Sequence, residues 1–329
     1  MPDEPENRIA WRMNPPRSLP FSLWPLAIWL LLLEAGVAGL GAPVPSAAPL
    51  PRLEGVWGTT EQILFCTRLR YDDSHWYANI GYYCDDERQK AYTGNGQPDV
   101  GRLLKLDLPS GTVTTVFDAQ GGSIRDPQIH YDAGKVLFSY RPAGTDYYHL
   151  YEIHLDGTRL RQITDGPFDD YEPAYLPDGD LVFVSTRCRR WVNCWMTQVG
   201  VLYRCKADGT NLEPISANTE HDNTPWVLPD GRLLYTRWEY VDRSQVEYHH
   251  LWTMNPDGTG QAVYYGNQQS HIVMIDAKPV PGTDFVVACF SPGHGVNEHD
   301  GIVTLVTPQS GPDAPAAARR LHRGNLVRD

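Results

Sequence analysis

One phrase returns along this chain at intervals of about fifty residues, and no other feature constrains the fold as strongly. It reads PAYLPDGDLVFVSTR at 173–187 and PWVLPDGRLLYTR at 225–237, with a looser copy, PQIHYDAGKVLFSYR, at 127–141. EQILFCTR (61–68) and PVPGTDFVVACF (279–290) echo it. A second phrase follows: LLKLDLPSGTVTTVF (103–117), LYEIHLDGTRLRQIT (150–164), LYRCKADGTNLEPIS (202–216) and LWTMNPDGTGQAVYY (251–265). In each, an apolar run meets Asp-Gly or Ser-Gly and then a second β-rich run, which is the pattern of a hairpin. Two hairpins per period make a four-stranded sheet, and such sheets arranged radially make a β-propeller. The expectation is an all-β chain.

Five units are recognisable: about 55–117, 124–164, 171–216, 223–265 and 275–307. The strands that begin at Pro173 and Pro225 are expected innermost, lining the central channel, and a proline is tolerated at a strand's start because no ladder donor is needed there. Five units with this type of repeat suggest a six-bladed ring that is truncated here or completed by a partner, since an open ring leaves sheet edges unpaired. The domain reading is an N-terminal segment (1–48), a propeller (49–309) and a tail without blade pattern (310–329).

The N-terminal segment differs in kind. PFSLWPLAIWLLLLEAGVAGLGA, within 18–42, follows Arg12 and Arg17 and ends in small residues, with Ala42 and Ser46-Ala47-Ala48 as cleavage candidates. That is a secretory signal, and Met13 is an alternative start that leaves a short basic leader. An uncleaved anchor is the other reading, in which the membrane is touched only through this segment. The Pro-rich stretch 42–53 is a stiff linker. A periplasmic or otherwise extracytoplasmic location follows. The formal net charge of −12 argues against nucleic acid as a partner.

Six cysteines in an exported chain permit disulfides. Cys188 and Cys194 flank RRWVN and are the better pair; Cys66 with Cys84 is a weaker one. Cys205 and Cys289 lie in strand patterns and read as buried thiols. The chain holds no C-x-x-C-H, so covalent haem has no attachment site.

The arginine that ends the second strand recurs as Arg68, Arg141, Arg187 and Arg237. A catalytic arginine would occur once; four copies imply a guanidinium that ties each blade to carbonyls or to the turn aspartate. Polar residues also recur before each innermost strand. Asp126, Glu172, His221, Asp222, His271 and Asp276 could converge on the channel mouth around a divalent cation. Mixed His and carboxylate ligands suit Zn or Mn, and an all-oxygen set suits Ca. His294, Glu298 and His299 share a Gly- and Pro-rich loop that cannot present them on a helix. The insertion at 70–101 carries Trp76, Tyr77, Tyr82, Tyr83 and Tyr92, which suit contact with a protein or a small carbohydrate-like ligand, or packing beneath the loop. No nucleophile elbow is present.

The repeats PDG-x-L-V-F-x-S-T-R and L-Y-x-x-x-x-D-G-T-x-x-x-x-I-T resemble those of TolB-type propellers over about 53–307. The stretch 186–243 is similar to the middle domain of the hydrazine synthase alpha subunit family. The resemblance implies an exported propeller that works beside redox domains, without that family's haem residues. The reading is therefore an exported binding or scaffold protein. Two alternatives stand beside it: a metal-dependent lyase or hydrolase acting on acidic sugars, as in oligogalacturonate lyases with related repeats, and a propeller component of a multihaem redox complex.

Overall fold

The computed structural model describes residues 61–68, 101–194, 197–241, 243–244, 247–292, 300–321 and 327–328. Their twenty strands form successive antiparallel sheets. The first contains β1 (Gln62–Thr67), β2 (Arg102–Asp107) and β3 (Val113–Asp118). The second contains β4 (Ser123–Ile129), β5 (Lys135–Arg141), β6 (His149–His154) and β7 (Arg161–Gln162). The third contains β8 (Asp170–Tyr175), β9 (Leu181–Ser185), β10 (Val201–Cys205) and β11 (Glu213–Pro214). The fourth contains β12 (Asp222–Val227), β13 (Leu233–Trp238), β14 (Tyr248–Met254) and β15 (Ala262–Tyr265). The fifth contains β16 (Ile272–Pro279), β17 (Val286–Ser291), β18 (Asp300–Val306), β19 (Ala318–Arg320) and β20 (Val327–Arg328). β19 and β20 both pair with β18, so residues 318–320 and 327–328 supply the outer edge of the last sheet. Two residue pairs between β14 and β16 join the fourth and fifth sheets in parallel.

Each sheet packs its face on the next. Leu103, Ile124, Val136 and Phe138 are fully buried between the first and second sheets. Leu137, Tyr171, Val182, Phe183, Leu233 and Tyr235 fill the middle of the molecule, and Leu234, Leu251, Met274 and Val286 lie between the fourth and fifth. Each such side chain contributes about 1.5–3 kcal/mol by leaving water. Both faces of these sheets are therefore apolar, which the near-continuous runs LVFVS and LLYT already imply.

The innermost strands β4, β8, β12 and β16 stand side by side. Each begins before the point where the prolines place it. β8 starts at Asp170 and β12 at Asp222, and Pro173 and Pro225 lie inside a bulge instead. In all four strands two residues face one across the ladder: 126–127, 172–173, 224–225 and 276–277. The first residue of each pair is left-handed, with φ of +55° at Asp126, +50° at Glu172, +51° at Thr224 and +55° at Asp276. A bulge leaves one residue unpaired, and that residue is where a proline without an N–H costs least.

The chain's turns and loops segregate. Pro-Asp-Gly and Asp-Gly-Thr turns all close one rim. The other rim holds the connections from second to third strand and from blade to blade. At the turn rim, Gly209 and Gly258 have φ of +87° and +83°, and a Cβ there would lie 2.1 and 2.3 Å from the carbonyl oxygens of Ile163 and Ile215 in the preceding blade. The Asp-Gly-Thr glycine is thus both the turn former and the contact between blades.

Candidate functional site

The four bulges form a belt around the axis, and the belt is wired from blade to blade. The Glu172 amide donates to Asp126 Oδ2 at 3.1 Å, and the Thr224 amide donates to Glu172 Oε2 at 2.6 Å. Each carboxylate therefore caps the bulge of the following blade. Arg125 lies between them, donating from Nε to Asp126 Oδ2 at 2.5 Å and from Nη2 to Glu172 Oε1 at 3.2 Å. Its guanidinium covers the Tyr171 ring at 5.0 Å. The sequence continues the series with Thr224, whose hydroxyl is too short to repeat the reach and instead meets the Thr236 hydroxyl at 3.2 Å. In the fifth sheet Asp276 binds Lys278 Nζ at 2.5 Å.

Burial pushes the Glu172 carboxyl up to about 7. Arg125 and the Thr224 amide oppose that shift, and the negative charges of Asp126 and Asp276 add to it. Of the six candidate metal ligands, the structure thus brings Asp126, Glu172 and Asp276 into one electrostatic field. Their oxygens are engaged by Arg125, Lys278, Ser139 and backbone amides.

The other three lie elsewhere. Asp222 is fully buried and receives Arg237 in two bonds, Nε to Oδ1 at 2.8 Å and Nη2 to Oδ2 at 3.0 Å. His221 is buried against Trp238, with ring centroids 5.8 Å apart, and its Nδ1 accepts the Gly200 amide at 3.0 Å. Burial lowers its pKa to about 3, so the ring is neutral. His271 is 68% exposed on the loop rim and faces Glu247 at 3.5 Å. Among the described residues no three His, Cys, Asp or Glu side chains are disposed to hold a metal.

The repeated arginines divide. Arg187 grips Asp170 through Nε at 3.2 Å and Nη2 at 2.7 Å, as Arg237 grips Asp222. Both partners sit two residues before the bulge. The partner is the inner-strand aspartate and not the turn aspartate, because the turn lies at the other end of the strand, where Asp178 meets Arg204 and Asp230 meets Arg232. The second sheet has Ile124 at that place, and Arg141 there is buried over the Tyr148 ring at 5.2 Å. Arg68 is exposed at the end of β1.

The disulfide expected between Cys188 and Cys194 is not formed. Cys188 Sγ donates to the Val199 carbonyl at 3.1 Å, and the segment is closed by backbone instead, Val192 N to Thr197 O and Val199 N to Arg190 O. Cys66 is a free thiol, and Cys84 lies outside the described residues. So do the aromatic insertion, the His294–His299 cluster and the N-terminal segment. Burial pushes the Cys205 thiol up to about 12.

Several residues at the loop rim and belt stand outside the candidate ligand set. Asp169 is buried, accepts the Tyr148 amide at 2.8 Å, and is pushed by burial up to about 7. Glu220 is also buried and is raised to about 7, with the Asn193 amide and Arg190 opposing burial. Thr224 and Arg125 have no chemical signature of their own. Position could have found Thr224, since Asp126, Glu172 and Thr224 each precede the proline of their repeat. An open cleft of about 530 Å³ lies at the opposite, turn rim between Asp180, Arg204, Lys206 and Glu213. Its cations are already paired with Asp178 and Asp180, which makes it a poor binding site despite its size.

Comparison with known proteins agrees with this geometry. No family profile and no curated protein matches the chain. Hydrazine synthase from Kuenenia stuttgartiensis is similar over 86% of this chain at 17% identity and a TM-score of 0.64; this chain spans 43% of that one. A TolB structure from Agrobacterium tumefaciens is similar over 70% of this chain and 79% of its own, at 17% identity and a TM-score of 0.53. At such identity the likeness concerns the fold alone: the chain folds as a β-propeller similar to these two. No described helix is long and apolar enough to cross a membrane.

Proposed function

We propose that this TolB-like propeller is an exported binding or scaffold protein that meets its partner through the loop rim. One observation carries the reading: the two rims differ in kind. The turn rim repeats the same tight turns. The loop rim carries connections of unequal length, 142–148, 186–200 and 239–247. Loops on a rigid scaffold are where binding residues concentrate.

The belt supports the same reading from the other side. Asp126 and Glu172 are engaged in joining blades, Asp276 pairs with Lys278 on its own strand, and the two histidine candidates stand away from the belt. An acid–base or metal reaction at the axis has no free group to start from among the described belt residues. Export follows from the N-terminal segment and remains part of the proposal.

Photocrosslinking in cells tests both parts. A photoreactive residue replaces Thr145 or Val241 on the loop rim, and Tyr131 or Gly179 on the turn rim. Adducts confined to the first pair, on a chain lacking residues 1–42, are the expected result. Adducts from the turn rim alone would overturn the binding face, and a chain retained uncleaved in the cytosol would overturn export.

A further inference from the structure

We infer that the third-blade loop is a recognition element for an acidic, partly apolar peptide segment of a partner protein, with Arg189 and Trp191 as its contacts. The inference deepens the binding-platform reading and rests on it.

Three observations place the element. The first is rigidity. The Arg189 amide donates to Thr186 O at 2.9 Å, Val192 N to Thr197 O at 2.9 Å and Val199 N to Arg190 O at 2.8 Å. Arg190 reaches across to the Asn218 carbonyl, and Val192 and Val199 are buried beneath. Trp191 bridges to Gln198 as a one-step ladder. The segment next to Arg189 and Trp191 is therefore preorganised, which lowers the entropy lost on binding.

The second observation is what this scaffold presents. Trp191 is 44% exposed although it is one of the largest apolar side chains. Arg189 is exposed beside it in a left-handed conformation, φ +52°. Phe168 carries two guanidinium groups, Arg187 at 4.8 Å and Arg189 at 5.0 Å. Arg187 is neutralised by Asp170. Arg189 is stacked but has no carboxylate partner among the described residues. A guanidinium set over a ring on an exposed residue, with no carboxylate of its own, is a ready fork for a partner's carboxylate.

The third is the contrast in charge. The sequence RCRR at 187–190 is a basic stretch in a chain of net charge −12. The chain's excess of acidic over basic residues disfavours an acidic segment overall, and Arg189 offers it an exposed cation that no described carboxylate takes. Repulsion from the wrong places orients a partner as much as attraction at the right one. Arg and Trp are also the side chains that dominate interface energies, and an apolar residue beside the carboxylate would cover Trp191.

The probe is a fluorescent peptide of alternating Glu and Leu, with its Lys and Leu counterpart as the control, titrated into the exported chain by anisotropy. The expected result is saturable binding of the Glu peptide only, weakening between about 50 and about 300 mM salt as screening grows. Arg189→Glu and Trp191→Ala should each weaken it at least about tenfold, a size common for interface hot spots. Arg159→Glu, the same charge change at the turn rim, should leave it within about twofold. Unfolding curves confirm that each variant is folded. No saturable binding, or an equal loss in Arg159→Glu, overturns the inference. So does a wild-type dimer that Arg189→Glu dissolves, because the occupant is then a second copy. Loop-rim adducts in the crosslinking experiment without peptide binding would reject this loop and leave the platform reading intact.

Discussion

The two rims of the propeller are made by the same repeats and have opposite electrostatics. At the turn rim Asp156, Asp208 and Asp257 each accept the hydroxyl and amide of the threonine two residues on. Those bonds hold their carboxyls below the ordinary range. At the loop rim and belt, Asp169, Glu172 and Glu220 are buried and pushed up to about 7. The lesson is that position in the blade decides a carboxylate's state. An exposed turn offers it donors without desolvation, whereas Asp169, Glu172 and Glu220 lose their water and receive too few donors to offset that loss.

The largest effect is expected where the loop rim meets the core. Asp222→Ala leaves Arg237 partly buried without its carboxylate, and should lower unfolding stability by about 3–5 kcal/mol in urea titration. Asp170→Ala should behave alike through Arg187. A loss under about 1 kcal/mol in either would show that these pairs are incidental.

The pH profile follows next, and its sign separates the rims. A carboxyl whose pKa is raised in the folded state holds its proton while the unfolded chain has lost it. Stability then falls as pH rises from about 4 to about 7, on the order of 3 kcal/mol for each fully buried group. The turn aspartates act in the other direction: their contribution is present above about 4 and is lost as pH falls below it. Urea midpoints should therefore be higher at pH 5 than at pH 8, and Glu220→Gln should flatten part of that slope. A midpoint that is unchanged across this range would remove the argument from burial.

A smaller effect sharpens the contrast between contact and conformation at the turn rim. Gly179 and Gly209 have φ of +90° and +87°, but a Cβ at Gly179 meets open space. Gly179→Ala should cost about 1 kcal/mol from backbone strain alone. Gly209→Ala should cost clearly more, because the Ile163 carbonyl must move. Equal melting shifts would mean that the blade contact is soft. Smallest of all, Arg189→Glu and Trp191→Ala should change stability by no more than about 0.5 kcal/mol, since neither side chain holds the fold together. A larger loss would make them structural and weaken their assignment to binding.

Much of the architecture was legible from local chemistry. Pro-Asp-Gly and Asp-Gly-Thr mark the hairpins because only certain residues tolerate those turns. The recurring arginine shows itself as structural by its repetition. The belt was half legible: Asp126, Glu172 and Asp276 stand out as acids before an inner strand. Thr224 does not, since its role comes from its backbone N–H, which every residue but proline carries. The prolines misled about where β8 and β12 begin, because a bulge accommodates them as well as a strand start does.

What the sequence by itself determined is the all-β repeat: turn chemistry and alternating apolar runs act over a few residues and need no distant partner. What only the tertiary structure decided is which polar side chains meet. His221 and Asp222 are neighbours in sequence, but one packs on Trp238 and the other binds Arg237. Glu172 reaches Thr224 across fifty-two positions of chain. Cys188 and Cys194 flank a short loop but are not joined, and backbone bonds between residues 190 and 199 close it. Contacts between blades depend on how neighbouring sheets pack, and that is settled by burial summed over the whole molecule.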